Sequence, residues 1–331
     1  MRLLILSRSP AIYSTRRLIE AARERGMRVR VINPVECEMH LDGKTSHLYH
    51  RRKPIARADV VIPRIAPSIA VYGLAVVNQF ALGGARIVND AEAIARSRNK
   101  MRSLQLLSSH GIDIPATVMA RDARSLKELV PLVGGVPVLI KLLQGGERQG
   151  VMVCETMPSL EAALEAILGL GQNVLIQQYV QETKGKDIRA LVVGGRVVCA
   201  VRRMPRAGRL SRTLGRGARF EPVALPITFE QAAARAARLV GLEVAAVDML
   251  DDRGKPRVFE VNSSPGLRAL EEATGLDLAG AIVEHAGRMV KHARAVSRSV
   301  AETAPAAPAP AKQKTAAKKG TKRATGQGGN D

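Results

Sequence analysis

Three oxygen-bearing side chains lie in the apolar segment "VAAVDMLDDRGKPRVFEVNSSPG" (244–266). Two short apolar runs joined by a polar turn predict a β-hairpin there. Side chains alternate between the faces of a strand, so Glu260 and Asn262 share one face. A hairpin that folds about Gly254 sets Asp248 opposite Glu260. The spacing therefore predicts that two carboxylates and one amide meet on one patch.

Ionised carboxylates on one half-buried sheet face repel each other, and their burial is costly. A hard divalent cation removes that cost, and oxygen ligands are those that Mg²⁺ or Mn²⁺ prefers. We therefore interpret Asp248, Glu260 and Asn262 as a metal site. An exposed sheet face with solvated acids remains an alternative on these residues alone.

Two lysines and a glycine-bearing loop are candidates for binding phosphate. Lys141 lies within "VLIKLLQGG", an apolar strand in which an ammonium group without an anionic partner is costly. The backbone N–H groups of Gly145, Gly146 and Gly150 can close on phosphate oxygens, although a plain turn explains the same pattern. Lys100 is either a second phosphate-binding cation or a solvated helix residue.

The segment "RRMPRAGRLSRTLGRGAR" (202–219) holds seven arginines and no acid. Its glycines disfavour a helix, so we expect a loop that follows a hairpin strand. Guanidinium groups bind carboxylates or phosphates in a bidentate manner. RNA is an alternative partner, but the aromatic residues that stack on bases are almost lacking in this segment.

Short apolar runs must position these groups, and the first hundred residues alternate them with helical patterns. Strand–helix–strand alternation predicts a parallel sheet covered by helices. The expected strands are 2–7, 28–33, 60–65 and 85–90. No G-x-G-x-x-G pattern follows the first strand, so a dinucleotide site is not indicated. Tyr13 and Ser14, beyond that strand, either line a substrate crevice or cap the next helix.

The rest of the chain predicts a mixed α+β region. A helix is expected to begin at Ser97 as its N-cap and to end before Gly111. Further expected strands are 136–143, 151–155, 173–180, 187–203 with a turn at Gly194–Gly195, 244–250 and 257–262, with helices from Ser159, over 229–240 and toward 296. His47 and His50 have helical spacing but no companion ligands, which favours a polar loop.

The composition is that of a globular protein, with 46% hydrophobic residues, no Trp and a formal net charge of +21 over 331 residues. Cys37, Cys154 and Cys199 are widely spaced, which favours neither disulfides nor zinc. No apolar run approaches the ~18 residues that span a bilayer, so we expect no membrane contact and a cytoplasmic protein. The segment 304–331 has six Lys or Arg against one Asp, and we expect it to be disordered.

These motifs together resemble the ATP-grasp carboxylate–amine ligases, and most closely the RimK-type α-L-glutamate ligases. The similarity includes Lys100, Lys141 with its glycine loop, "IQQYV", "GKDIRALVVGGRVV" and "FEVNSSPGL", and it runs from Arg2 to about Met289. It implies an α/β chain, α+β in its C-terminal part, with an N-terminal parallel-sheet, Rossmann-like pre-ATP-grasp domain before an ATP-grasp fold. The implied divisions are the N-terminal domain 1–96, ATP-grasp subdomain A 97–180, subdomain B 181–296 and a basic tail 297–331.

The resemblance also implies a role for individual residues. Asp248, Glu260 and Asn262 would bind two Mg²⁺ (or Mn²⁺), with Glu260 bridging them. Arg203 would be catalytic and steady the acylphosphate or the tetrahedral intermediate. ATP would contact Lys100, Lys141, Gly145, Gly146, Gly150, Gln178, Tyr179, Asp187, Arg189, Ser211, Arg212 and Thr213. Strand parity alone sets Arg202, not Arg203, opposite Asp187, so either a bulge or another role for Arg203 is required.

The implied reaction is ATP-dependent peptide-bond formation through an acylphosphate. It adds L-glutamate to the acidic C-terminal tail of small-subunit ribosomal protein S-six. Another peptide, carrier protein or cofactor as acceptor is an alternative, and a ribosome- or RNA-binding protein that uses the basic loop and tail is a second. The basic composition of the tail predicts weak rRNA contact through it, and the resemblance implies a homodimer or homotetramer.

The sequence departs from the family pattern at three places. Arg148 stands where a further loop glycine is common, and Gln178 stands where an acid is usual beside the adenine-binding tyrosine. Ser211-Arg212-Thr213 replaces Arg-Ser-Asn, which removes an amide. These departures bear on substrate and nucleotide handling, whereas the intact metal triad favours an active enzyme.

Overall fold

The structure is a computed structural model that describes residues 1–43, 45–120, 125–143, 150–180, 183, 187–204 and 219–303. Gly145, Gly146, Arg148 and Ser211–Thr213 lie outside these ranges, as do most of the arginine-rich segment and the basic tail from residue 304 onward. Residues Met1–His292 form one unit, and a second unit begins at Ala293.

The N-terminal region is built on the expected parallel sheet. Its elements are β1 (Arg2–Leu6), α1 (Tyr13–Glu24), β2 (Arg28–Ile32), β3 (Cys37–Leu41), β4 (Ser46–His50), β5 (Lys53–Pro54), β6 (Val60–Pro63), α2 (Ala70–Leu82), β7 (Arg86–Ile87) and α3 (Ala91–Arg98). The parallel sheet has the order β2-β1-β6-β7. Ligands of such sheets bind beyond the carboxyl ends of the strands, so a ligand site is expected at the ends of β1 and β6.

A small antiparallel sheet, β3-β4-β5, was not expected from the sequence. The prediction that His47 and His50 lie in a polar loop is wrong, because both belong to β4 and pair with β3. His47 lies opposite His40, and His50 lies opposite Cys37. The alternation of polar and apolar residues in this short exposed hairpin is too weak to distinguish it from a loop.

The middle region forms a four-stranded antiparallel sheet. Its elements are α4 (Lys100–Ser109), β8 (Thr117–Ala120), α5 (Leu126–Leu132), β9 (Val138–Leu142), β10 (Val151–Cys154), α6 (Met157–Gly169) and β11 (Val174–Gln178), with the strand order β10-β9-β11-β8. The N-cap prediction at Ser97 is wrong. Ser97 lies in the last turn of α3, and the cap of α4 is Asn99, whose side chain accepts a hydrogen bond from Arg102 N at 3.0 Å.

The C-terminal region holds a five-stranded antiparallel sheet. Its elements are β12 (Asp187–Val193), β13 (Arg196–Met204), β14 (Arg219–Pro222), α7 (Ile227–Val240), β15 (Val244–Asp252), β16 (Lys255–Asn262), α8 (Arg268–Thr274) and α9 (Leu278–Thr303), with the strand order β14-β13-β12-β15-β16. Helix α7 packs its apolar side, which includes Phe229, Ala233 and Ala237, against this sheet. Burial of such a face from water provides most of the stability of a surface helix.

One hydrophobic core joins the N-terminal sheet to the C-terminal region. Leu3, Ile5 and Leu18 belong to the same buried cluster as Leu191 and Ile282. Polar contacts reinforce this junction, since Tyr13 Oη donates to Glu271 at 3.0 Å and Ser14 Oγ accepts from Leu267 N at 3.0 Å. This shared core holds the carboxyl ends of β1 and β6 against the loop that follows β16.

The chain is mixed α/β, with a parallel sheet at its N-terminus and antiparallel sheets beyond, as expected. Within the part of the chain that the structure describes, no helix combines the length and apolarity needed to cross a bilayer.

Candidate active site

The β15–β16 hairpin has the register that its sequence predicts. Asp248 lies opposite Glu260, and Ala246 lies opposite Asn262. The register shifts between Asp248 and Met249, so that Phe259 is the extra residue of a β-bulge. Without this bulge Asp248 would face Phe259, because one inserted residue changes the pairing of every residue beyond it. The bulge therefore brings the two carboxylates together.

Asp248 forms a buried ion pair with Arg189 on the neighbouring strand β12. Arg189 Nε donates to Oδ1 at 2.7 Å and Nη2 donates to Oδ2 at 2.6 Å. Asp248 is 1% exposed, and burial raises its pKa, yet Arg189, with smaller contributions from Arg203 and Lys141, outweighs burial and holds the pKa of Asp248 below its ordinary value. Asp248 is therefore an ionised carboxylate within the sheet.

A second buried pair lies beside the first. A bulge between Leu191 and Val192 shifts the β12–β13 register, so that Asp187 lies opposite Arg203. Arg203 Nε donates to the two Asp187 oxygens at 2.9 and 3.0 Å, and Nη2 donates to Oδ2. Burial lowers the pKa of Arg203, but the Asp187 carboxylate outweighs it and the net shift is upward. Of the two alternatives left by strand parity, the bulge is correct.

Lys141 reaches these acids from the middle sheet. Its side chain is buried, and Nζ lies 4.8 Å from the centroid of the Phe259 ring, which is a cation–π contact between β9 and β16. Burial lowers the pKa of Lys141 to about 8, while the charges of Glu260, Asp248 and Asp187 oppose that shift. The sequence predicts an anionic partner for Lys141, and these three carboxylates of the protein provide part of that negative charge.

These six groups form what we term the charged centre: Lys141, Asp187, Arg189, Arg203, Asp248 and Glu260. It contains three cations and three acids, and their charges influence one another's pKa. Lys100, at the start of α4, is close enough to lower the pKa of Lys141 and donates to Leu142 O at 3.3 Å. The predicted phosphate cations therefore lie beside the predicted metal ligands.

Two further predicted nucleotide residues lie at the end of β11 and in the loop that follows. Gln178 Oε1 accepts from Arg257 Nη1 at 2.9 Å, and Tyr179 follows it. Gly150 has a φ of +77°, and a Cβ atom there would lie 2.5 Å from Leu142 side-chain atoms. Gly150 is thus required by the backbone at the start of β10.

The oxygen donors of Asp248, Glu260 and Asn262 fit the chemistry of a magnesium or manganese site. Asn262 Oδ1 already accepts from Ser264 N at 2.8 Å, which orients the amide, and each bonded oxygen keeps a second lone pair for a metal. The described residues contain no group of three or more His, Cys, Asp and Glu side chains placed to hold a metal. The present set has only two such acids, with an amide as its third donor.

A cleft of about 590 Å³ connects this hairpin to the N-terminal sheet. Lys100, Glu260 and Asn262 line one side of it. The opposite side follows the carboxyl ends of β1 and β6 and carries Arg8 and Arg64. The crevice anticipated beyond the first strand exists, but Tyr13 and Ser14 contact α8 and its preceding loop instead.

Sequence reasoning missed the arginines of this cleft. Arg8, Arg64 and Arg98 lie just after β1, just after β6 and at the end of α3. Their positions at strand and helix ends were the available signal, because open parallel sheets bind ligands at that edge. Asp187 and Arg189, which the resemblance assigns to ATP, contact Arg203 and Asp248 of the charged centre, and their assignment to ATP stays a prediction.

Comparisons with known proteins agree with this architecture. The RimK pre-ATP-grasp domain model matches residues 1–94, and the RimK-like ATP-grasp domain model matches residues 97–286. "Probable alpha-L-glutamate ligase 1" of Shewanella amazonensis is 44% identical over 283 residues, which cover 86% of this chain and 94% of that protein. "Probable alpha-L-glutamate ligase" of Azotobacter vinelandii is 42% identical over 292 residues, covering 88% and 97%.

Solved structures show the same fold at lower identity. The ATP-grasp ligase PsnB, complexed with a minimal precursor, superposes with a TM-score of 0.70 at 22% identity over 86% of this chain and 97% of that one. D-alanine–D-alanine ligase from Bacillus anthracis, complexed with ATP, superposes with a TM-score of 0.64 at 18% identity over 88% and 99%. The fold, the charged centre and the family matches together show that this chain belongs to the RimK family of ATP-grasp ligases.

Proposed function

We propose that this enzyme adds L-glutamate to a C-terminal carboxylate of an acidic protein tail, and that the tail of small-subunit ribosomal protein S-six is the acceptor. The observation that carries the proposal is the meeting of Lys141, Asp248 and Glu260 in one buried centre beside a cationic cleft. RNA binding has no need for such a centre, whereas phosphoryl transfer does. Two relatives named as glutamate ligases support glutamate as the amine.

The nucleotide would bind between the middle and C-terminal sheets. Lys100 and Lys141 would hold phosphate oxygens of ATP, and the backbone near Gln178 and Tyr179 would receive the adenine. A structural relative of this fold contains Mg and ADP, which supports magnesium as the metal. Two Mg²⁺ held by Asp248, Glu260 and Asn262 would neutralise the charge on the transferring phosphoryl group.

The side chains of the charged centre have separate tasks in this reaction. Arg189 holds Asp248 ionised and oriented, so the carboxylate is ready to accept a metal. Asp187 holds Arg203 through Nε and Nη2, which directs the guanidinium toward the acyl group that receives the phosphate and then the glutamate amine. An anionic phosphate near Lys141 would raise its lowered pKa again and so keep Nζ protonated, because an opposite charge favours the charged form of an amine.

The acceptor would be an acidic peptide. The lining of the cleft includes four Arg or Lys side chains and a single acid, Glu260, which favours an anionic substrate. Two solved structures of this fold hold precursor peptides, and another protein tail, carrier protein or cofactor is the alternative acceptor. A cytoplasmic location follows from a ribosomal substrate and is part of the same proposal.

The test is glutamate-dependent ADP release by the purified full-length chain, with each candidate acceptor and each amino acid in turn. We expect ADP release to require both glutamate and an acidic C-terminal tail, and the acceptor mass to increase by glutamate residues. Release with another amino acid but not with glutamate would contradict the proposal.

Glu260→Gln tests the metal assignment. We expect a loss of about 10²–10³-fold or more in kcat, because one preorganised electrostatic group at a reacting centre has that effect. Glu221→Gln, an exposed acid on β14 of the same sheet, is the matched control and should keep its activity. Retained turnover in Glu260→Gln would refute the metal site.

A further inference from the structure

The side of the cleft formed by the N-terminal region carries positive charge that the charged centre does not use. We term Arg8, Arg64 and Arg98 the cationic wall, since all three line the cleft. Arg64 Nη2 donates to Pro265 O at 2.7 Å and so fastens the loop after β16 to the wall. Arg8 is exposed to solvent, and Arg98 is half-buried.

Arg98 is a half-buried cation with no acid beside it in the described part of the chain. Its Nη2 donates to Ile65 O, but Nη1 is buried and has no hydrogen-bond partner among the described residues. Within the described part of the chain no carboxylate lies within ion-pair distance of Arg98, and burial alone lowers its pKa. A guanidinium placed in this way is costly to the folded protein unless an anion compensates it.

Ser264 provides an independent observation at the same cleft. Its Oγ is the second buried side-chain atom that lacks a hydrogen-bond partner among the described residues, and Arg98 Nη1 is the first. Both residues line the cleft, although they come from α3 and from the loop after β16. Two incompletely satisfied donors among the residues that line one cleft point to a shared ligand that offers oxygen atoms.

We propose that the cationic wall, with Ser264, binds a substrate carboxylate that does not react. This inference rests on the proposed function and adds a specificity site to it. The ligand is a side-chain carboxylate, either that of the incoming glutamate or that of a glutamate residue in the acceptor tail. A guanidinium binds a carboxylate with two parallel hydrogen bonds, and a hydroxyl donor completes the set. Glutamine in the same place would lose the charged contact.

The experiment compares Arg98→Gln and Arg8→Gln with the wild-type full-length chain. The KM values for glutamate, for an acceptor peptide with a glutamate-rich end, and for ATP are measured separately. Arg96→Gln is the matched control, because Arg96 lies two residues away on α3 and donates to Val240 O, outside the cleft. Arg8 is exposed, so its variant is expected to fold even if Arg98→Gln does not.

We expect Arg98→Gln to raise the KM of one carboxylate substrate by about 10-fold or more, with kcat within about threefold of wild type. Arg8→Gln should raise the same KM by a smaller factor, and Arg96→Gln should leave it unchanged. A rise in the KM for glutamate, with a reduced preference for glutamate over glutamine, identifies the amino-acid side chain. A rise in the KM for the peptide, abolished when its glutamates are replaced by glutamines, identifies the acceptor.

Unchanged carboxylate KM values in both variants would overturn the inference, and so would a rise confined to ATP. Calorimetric titration with the glutamate-rich peptide and with glutamate separates this result from failure of the proposed function. If wild type shows no glutamate-dependent turnover, the proposed reaction is wrong. Weaker binding of either ligand to Arg98→Gln than to wild type still supports the wall, and equal binding of both overturns it.

Discussion

The charged centre and the cationic wall both contain arginines, but Arg189 and Arg203 in the centre are paired with acids, whereas Arg98 in the wall has no acid beside it among the described residues. In the centre, Arg189 and Arg203 each form an ion pair with the aspartate that lies directly opposite on a neighbouring strand. In the wall, Arg98 has one backbone acceptor and no acid beside it among the described residues. The paired groups are preorganised for chemistry, and the unpaired group has binding capacity left for a ligand.

This difference has a physical basis. A buried ion pair contributes little net stability, because desolvation cancels most of its attraction, yet it keeps both side chains in one orientation. An unpaired buried cation costs folding free energy, and that cost is recovered only when an anion binds. Enzymes use the first arrangement to position reacting groups and the second to select a charged substrate.

Removal of one arginine from each region tests whether the centre and the wall differ in pairing. Arg189→Met leaves Asp248 buried without its partner, so we expect the free energy of unfolding to fall by about 3–5 kcal/mol. Arg98→Met removes the cost of a cation without an acid partner but loses its hydrogen bond to Ile65 O, so we expect these effects to offset and the free energy of unfolding to change by less than about 1 kcal/mol. Urea denaturation of both variants checks this.

The control is the double variant Arg189→Met, Asp248→Asn. It removes the isolated charge, so it should be more stable than Arg189→Met alone. If Arg189→Met and Arg98→Met lowered the free energy of unfolding equally, the two arginines would not differ in how they are paired.

The variant Lys141→Met tests whether the acids of the charged centre fully offset the cost of burying the Lys141 ammonium group. Its pKa of about 8, against an ordinary value of 10.5, corresponds to a penalty on the order of 3 kcal/mol at neutral pH. Lys141→Met relieves this penalty but loses the contact with the Phe259 ring, so we expect a net gain of about 1–2 kcal/mol in unfolding free energy at pH 7. ADP release should fall by about 10²–10³-fold.

The same residue makes the stability depend on pH. Between pH 8 and 10.5 the unfolded chain binds more protons at Lys141 than the folded chain does, so folding becomes more favourable as pH rises. Below pH 8 the penalty is fully present. We therefore expect the stability advantage of Lys141→Met over wild type to shrink as pH rises from about 8 to about 10.5. An advantage independent of pH in this range would contradict the lowered pKa.

The smallest expected effect is at Gln178, where the family commonly has an acid. Gln178 Oε1 accepts from Arg257 Nη1, while Arg257 also pairs with Asp252 at 2.9 Å. Gln178→Glu adds a charge to a partly exposed pair, so we expect less than about 1 kcal/mol of stabilisation. Thermal unfolding measures this gain, and the KM for ATP shows whether the departure matters for nucleotide binding.

Much of the site could be predicted because strands impose simple rules. Side-chain alternation predicted that Glu260 and Asn262 share one face, and a turn at Gly254 predicted Asp248 opposite Glu260, although this last pairing depends on the bulge at Phe259. The buried environment of Lys141 followed from the apolar residues around it. The β-hairpin at β3 and β4 was missed because its short, exposed strands lack a strong pattern. The predicted N-cap at Ser97 was wrong because α3 continues through Ser97 to Arg98. The N-cap of the next helix, α4, is Asn99.

The charged residues within apolar strands, and the ligase family that has them in this order, can be read from the amino-acid sequence. How those residues pair depends on the folded structure. One bulge set Glu260 opposite Asp248, and another set Arg203 opposite Asp187. The Arg189–Asp248 pair and the placement of Arg98 and Ser264 around one cleft depend on packing between elements far apart in the chain. Alternation along a strand is a local property, whereas register between strands and contacts between sheets depend on how the whole core packs.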